Sequence, residues 1–212
     1  MQTPVVLTIS RQIGSGGAYI GQAVARQLGL KYLDREILRQ AAEALGAREA
    51  DVEDLEERLA GFWSSLGPGI FAGAPDAPYV APPPPGVREG QVFEAETQLI
   101  RDIAAREDAV IVGRGAPHLL RDHPGVIRMF VHAPAAWRVV EIRKAYGLSE
   151  PEARVLLEQS DRRRAKFVQG LIGRLWTDAC LYDLTVDSSV VPIEMAAGFA
   201  AAVVEAKLKS RT

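Results

Sequence analysis

Three glycines in four positions, Gly14, Gly16 and Gly17, separate the β-branched, apolar run of residues 5–10 from a helix-forming stretch that opens with Ala18 and Tyr19. Glycine admits positive φ and lets backbone N–H groups come close to a ligand, and a helix start aims orphan N–H groups and a positive dipole end at the same place. Gly14, Ser15, Gly16, Gly17, Ala18 and Tyr19 are therefore read as an anion cradle, with phosphate the natural occupant. The alternative is a tight strand-to-helix turn that binds nothing.

The usual phosphate loop, G-x-x-x-x-G-K-[ST], uses its lysine on the β- and γ-phosphates and its hydroxyl on magnesium. With Gly16 as the second glycine, Arg11, Gly17 and Ala18 stand where glycine, lysine and hydroxyl belong. A dinucleotide fingerprint is also incomplete, because Tyr19 occupies the place of its third glycine although Asp34 follows at a suitable distance. The cationic work must then come from elsewhere, and Arg11 could fold back over the phosphates. Arg114 follows an apolar strand at residues 109–112, which puts it at a strand's carboxyl end, where open parallel sheets bind ligands. There it could grip a second anion in a bidentate manner, or be a surface arginine near a turn. Asp161 and Arg164 are three apart on a helical segment and share a face. Such a helix could close over phosphates, with Arg164 on the transferring group and carboxylates orienting the arginines, or be a solvated salt-bridge face. Magnesium, without a hydroxyl at position 18, is left with Ser10, Ser15 or Asp34.

These residues need a scaffold, and the apolar periodicity supplies one. Strands are expected at residues 5–10, 31–33, 109–112, 126–131 and 182–187. Helices are expected at 17–28, 34–45, 50–62, 92–106, 135–146, 149–172 and 193–208. Alternation of this kind makes an α/β fold with a parallel sheet covered on both faces. Residues 67–90 hold Pro68, Pro75, Pro78 and the run Pro82, Pro83, Pro84, Pro85, which excludes helix interior and central strand and predicts a mobile surface insertion. Its Ile70, Phe71, Tyr79 and Val80 make it a candidate partner surface, so a second copy of the chain is one expected partner.

With 212 residues, 48% hydrophobic and 25% charged, the chain has the make-up of one core-bearing domain. A net charge of −2 gives no global field for nucleic acid or anionic membrane, and neither is expected as a partner. The one cysteine, Cys180, excludes an internal disulfide framework and a cysteine zinc cluster, and is expected to pack beside Trp176. No segment runs eighteen apolar residues, and the start lacks a leader pattern, so a cytoplasmic location is expected. His118, His123 and His132 lack metal-ligand spacing.

Taken together, the Gly-Ser-Gly-Gly loop within residues 9–34, the segment Leu28-Gly29-Leu30-Lys31-Tyr32-Leu33-Asp34, the strand ending in Gly113-Arg114, the Asp161-x-x-Arg164-Ala165 helix, Trp176-Thr177-Asp178-Ala179 and Tyr182-Asp183-Leu184 resemble the cytidylate kinase-like family. This is a branch of the nucleoside monophosphate kinases with glycine in place of the loop lysine. The resemblance implies a P-loop NTPase-like three-layer α/β/α fold over residues 1–212, with a helical acceptor-binding region at 34–66 and a lid at 149–173. It implies ATP and Mg2+ as cofactors and phosphoryl transfer to a nucleoside monophosphate such as CMP, or to a related small phosphate acceptor. By the same match, Gly14 to Ala18 hold the donor phosphates, Asp34 opens the acceptor region and Arg114 holds the acceptor phosphate. Gln40 takes the place of an acceptor-binding arginine, with Arg39 its neighbour. A non-catalytic nucleotide-binding regulator is the second reading, and a dinucleotide-dependent oxidoreductase a distant third.

Overall fold

A computed structural model of the chain describes residues 2–34 and 89–211, with side chains in the first helix after the gap described from residue 94 onward. The elements expected at 34–45 and 50–62, the insertion at 67–88 and Arg39 lie outside the described residues. The described elements are β1 Val6–Arg11, α1 Gly17–Leu28, β2 Lys31–Leu33, α2 Glu89–Arg106, β3 Ala109–Val112, α3 Ala116–Leu119, β4 Val126–His132, α4 Ala135–Tyr146, α5 Glu150–Ile172, a short 3-10 turn Ala179–Leu181, β5 Leu184–Asp187 and α6 Ile193–Ser210.

The five strands form one sheet in the order β2-β3-β1-β4-β5. Every pairing is parallel, with Val6 beside Ala109 on one side and Val126 on the other. Neighbouring residues of a strand face opposite ways, and here both ways lead into core. Leu7 and Ile9 pack with Ile20 and Val24 of α1 and with Ala197, Ala200 and Val204 of α6. Val6 turns the other way and joins Ile100, Ile103 and Ile111 under α2. This two-sided burial is why the central strands read as unbroken apolar runs, and it gives a three-layer α/β/α sandwich.

Helix ends follow local chemistry. Gly29, Gly147 and Gly173 each adopt left-handed conformations and close α1, α4 and α5. At the start of α5 the Ser149 N–H donates to Glu152 Oε2 at 2.8 Å. Two elements start more than one residue from the expected place. Helix α2 takes in Glu89 and Gly90, inside the segment read as insertion, because a lone Gly90 lowers helix stability by only about 1 kcal/mol and no proline lies between residues 86 and 106. Strand β5 begins at Leu184, because Tyr182 and Asp183 are used sideways. The Tyr182 hydroxyl donates to the Trp176 carbonyl at 2.8 Å, and the Asp183 N–H donates to the Arg128 carbonyl at 2.7 Å. Among the described residues no helix is long and apolar enough to cross a membrane.

Both ends of the described chain are tied at the foot of β3. Asp108 accepts the Val5 N–H at 2.7 Å and a two-pronged ion pair from Arg211 at 2.6 and 2.8 Å. Arg128 grips Asp183 in the same way at 3.1 and 2.8 Å. Hydrogen bonding from Arg211 holds the Asp108 carboxyl below the usual range, and Arg128 does the same for Asp183. A depressed carboxyl pKa contributes stability that is present above the unfolded-state pKa of about 3.9 and is lost as pH falls through the folded-state pKa. Urea melts are expected to give a constant midpoint from pH 7 down to about 5 and a falling one below about 4. Asp108→Asn removes part of that fall, so its deficit relative to the parent is expected to shrink as the pH drops.

Candidate active site

The glycine loop is fastened at the carboxyl end of β4. Gln12 N–H donates to the Val131 carbonyl at 3.0 Å, and Gln12 Oε1 accepts from the Ala133 N–H at 3.2 Å. Ser15 is fully buried, and its hydroxyl lies 2.7 Å from the Gln12 carbonyl and 3.1 Å from the Val131 carbonyl. Its side chain therefore shapes the loop from within, and its sequence reading as a ligand-facing hydroxyl is corrected. Ala18 also turns inward, into the core under α1, so it can meet a ligand only through its backbone.

The loop glycines are demanded by what surrounds them. Gly14 has φ +75°, and a Cβ there would meet the Arg138 carbonyl oxygen and Ile142 Cγ1, both at 2.9 Å. Gly16 has φ +77°, and a Cβ would come within 2.7 Å of Ile193 Cδ1. The first turn of α1 contains no carboxylate to offset its positive end. An anion above this turn would find the helix field uncompensated.

Gly17 and Arg11 explain each other. A Cβ on Gly17 would lie 2.6 Å from Arg11 Cβ, so the arginine stem lies flush against the position where the usual loop carries lysine. The guanidinium runs on across Gly113, at φ +80°, where a Cβ would meet Arg11 Nη1 at 2.0 Å. It ends 3.3 Å from Asp34 Oδ1, and Asp34 Oδ2 also receives the Tyr32 hydroxyl at 3.4 Å. Arg11, at 7% exposure, thus spans the carboxyl ends of β1, β3 and β2. Two side-chain-free positions make the channel it occupies.

Arg114 lies between Gly113 and Gly115 in three consecutive left-handed conformations, with its own φ at 55°. A non-glycine residue held there stores strain of order 1 kcal/mol or more. Its Nη1 lies 3.1 Å from Glu96 Oε1, and both side chains are nearly buried. Burial pushes the Glu96 carboxyl up, and the Arg114 charge works against that. Arg114 is therefore ion-paired at the sheet edge rather than presented as a bare cation. Glu96 was not singled out in the sequence, although it shares a helical face with Ile100 and Ile103 of the core.

Helix α5 does not use its carboxylate as expected. Asp161 was expected to orient arginines of its own helix, but it faces α4 and grips Arg138 with two hydrogen bonds of 3.1 and 2.8 Å. Arg138 is 4% exposed, and it also donates to the Ala133 carbonyl at 2.9 Å and the Ile13 carbonyl at 3.4 Å. One guanidinium therefore links α5 to the glycine loop. The cause of the correction is packing, since α4 and α5 share a core of Val139, Ile142, Ala153 and Leu156 that turns Asp161 toward α4.

The arginines of α5 have other surroundings. Arg163 donates to the Gln159 carbonyl at 3.1 Å, and burial pulls its pKa down to about 10, which still leaves it cationic at neutral pH. Arg164 places its guanidinium carbon 6.0 Å from the centre of the Trp176 ring. Trp176 in turn donates its indole N–H to Ser10 Oγ at 2.8 Å, one residue before Arg11. Phe167 packs over Gly115, where a Cβ would meet its ring at 2.8 Å. Cys180 is exposed rather than packed beside Trp176, because the Asp178 cap of the short 3-10 turn points it outward. His118 is buried against the Tyr182 ring, and burial lowers its pKa to about 4.

On the far side of the loop a cleft of about 420 Å3 opens between α1, α4 and the start of α6. Gly14 and Gly16 border it, Tyr19, Trp137, Tyr146 and Ile193 give it an apolar and aromatic lining, and Glu141, Lys144 and Glu194 bring charge. Among the described residues no group of three carboxylate, histidine or cysteine side chains could hold a metal ion.

The sequence profile of the cytidylate kinase-like family matches residues 6–190. A search of curated proteins found no match. Among solved structures, an uncharacterised protein from Eubacterium ventriosum is similar, with a TM-score of 0.70 at 19% identity over 95% of this chain and 98% of that one. A shikimate kinase from Bacteroides thetaiotaomicron has a TM-score of 0.54 at 15% identity, over 95% and 98% of the two chains. A sugar kinase from Janibacter has a TM-score of 0.51 at 16% identity, over 95% of each chain. At such identities the structures show a shared fold. The profile match covers most of the chain, and with a lysine-free glycine loop leading a β2-β3-β1-β4-β5 parallel sheet, this protein belongs to the cytidylate kinase-like family.

Proposed function

We propose that this protein is an ATP-dependent phosphotransferase acting on a nucleoside monophosphate of the CMP kind or a related small phosphate acceptor. The observation that carries the reading is Arg11, whose stem fills the space over Gly17 and whose guanidinium lies between the glycine loop and Asp34. ATP would supply its γ-phosphoryl group: an acceptor oxygen forms the new P–O bond as the β,γ-bridging P–O bond breaks, and ADP leaves.

The chain's own part is positioning and charge, which is most of what phosphoryl transfer asks of a protein. The Gly14–Gly17 turn and the start of α1 hold the donor phosphates, and Tyr19, Trp137 and Tyr146 flank the base. Arg11 stabilises charge on the group in transit, with Asp34 orienting it at 3.3 Å. Arg114, steadied by Glu96, holds the acceptor phosphate, and Arg164 of α5 completes the cationic set when that helix closes. The residues do not fit a loop-held magnesium. Ser15 spends its hydroxyl on carbonyls, position 18 has none, Ser10 accepts from Trp176, and Asp34 is taken up by Arg11 and the Tyr32 hydroxyl, so no step is assigned to a protein-bound metal.

That same lack favours a second reading, a nucleotide-binding regulator without turnover. Purified protein incubated with ATP, Mg2+ and a panel of nucleoside monophosphates separates the two by chromatography of ADP and the phosphorylated acceptor. Acceptor-dependent ADP formation supports the transferase. Thermal stabilisation by ATP with no product from any acceptor would replace it with the regulator.

A further inference from the structure

We propose that α6 pairs antiparallel with α6 of a second copy of the chain, making a twofold dimer centred near Ala202. The inner face of this helix is spoken for, since Ala196, Ala197, Ala200, Ala201 and Val204 are buried against the sheet and α1. The outer face is also apolar. Met195, Phe199, Ala202 and Ala206 follow one another at spacings of four, three and four, which is the seam of a paired helix. Met195 is 53% and Phe199 54% exposed, with Val203 beside them and Val190 just before the helix. A helix apolar all round is ordinarily buried all round.

Gly198 is a second, independent observation. It lies on the outer face, has ordinary helical φ, and a Cβ there would meet nothing within 4 Å among the described residues. No packing among the described residues requires it, and glycine in an exposed helix interior costs about 1 kcal/mol relative to alanine. A close helix does require it. With Ala202 and Ala206 it forms a row of small residues one turn apart, which brings two helix axes toward the short end of the ~8–10 Å packing range.

Charge selects the occupant and its direction. Glu194 opens the helix and Lys209 nearly closes it, on the same flank of the seam, with Lys209 3.8 Å from Glu205 on its own helix. A twofold axis near Ala202 lays Glu194 of one copy against Lys209 of the other, twice, and sets Gly198 opposite Ala206. A parallel pair would put the two copies of this flank on opposite sides of the seam, so that Glu194 would meet no Lys209. The helix is about 27 Å long at 1.5 Å per residue. One face of that length covers less than the ~800 Å2 per partner of a standard interface, so the dimer is expected to dissociate on dilution.

Sedimentation velocity of the full chain over a wide concentration range tests this without reference to activity. The expected mass rises from 23.0 kDa toward twice that value. Phe199→Glu is expected to stay at the monomer mass with an unchanged far-UV spectrum. Glu194→Lys and Lys209→Glu are each expected to weaken the dimer about fivefold, and the double variant to restore it. A parent that is monomeric up to its solubility limit overturns the proposal. So does a dimer that survives Phe199→Glu, or a double reversal that fails to restore pairing.

Discussion

Replacing Arg11 by alanine is expected to lower kcat by about 10^2–10^3-fold, the loss typical of removing one preorganised group that stabilises transition-state charge. KM for ATP is expected to change little by comparison, because the backbone of the glycine loop is untouched. The sharper test is the exchange of positions. Gly17→Lys in the parent forces a Cβ to within 2.6 Å of Arg11 Cβ, so that variant is expected to lose both stability and activity. Arg11→Gly removes that Cβ as well as the stem, so beside it the same lysine gains room to extend over the phosphates, and the Arg11→Gly, Gly17→Lys double variant is expected to recover at least tenfold over Arg11→Gly. Steady-state kinetics on the four proteins, with melting curves as control, measure this. Additive losses in the double variant would show that the two positions do not share one cationic role.

Breaking the Arg138–Asp161 pair is expected to have the largest effect on stability. Removing one partner of a buried pair leaves the other charge uncompensated, at a cost of about 3–5 kcal/mol. Arg138→Ala also releases the Ile13 and Ala133 carbonyls, so it is expected to lie at the upper end. For a chain of this size each kcal/mol is worth about 2–4 °C in Tm, which puts the expected drop at roughly 6–20 °C. Asp161→Asn keeps one acceptor oxygen, and so one of the two hydrogen bonds from the guanidinium, and is expected to lose less. Because the guanidinium holds the loop at Ile13, Asp161→Asn is also expected to raise the Kd for ATP, as read by calorimetry at a temperature where the variant is folded. An unchanged Tm in both variants would remove Arg138 from the loop's support.

Much of the architecture was legible in the chain because it rests on local rules. Helix α1 and strand β3 run from the residues expected, since a glycine ends the one and the apolar tetrad Ala109 to Val112 can only be a strand buried on both faces. The glycine loop was legible for the same reason, as a local backbone requirement written in residue types. What was missed depends on contacts between distant segments. Arg138 shares a helical face with buried Ile142, and Glu96 shares one with Ile100, so each was an ionic group on a core-facing stripe. A sequence shows that such a residue needs a partner, and not which one. Asp161 illustrates the converse, since its nearest charges in sequence are arginines but its partner is 23 residues away.

By itself, then, the sequence determined a parallel α/β fold, the glycine turn at the end of β1, and a cation set that had to be assembled without a loop lysine. These follow from backbone geometry and apolar periodicity, which act over a few residues. Only the tertiary structure decided where the cations go. Arg11 runs through the channel that Gly17 and Gly113 leave open, Arg114 turns to Glu96, and Arg138 rather than Arg164 takes Asp161. The physical reason is that a buried charge settles on whichever opposite charge the packed elements bring within about 3 Å, and that choice is made by the sheet order and helix packing.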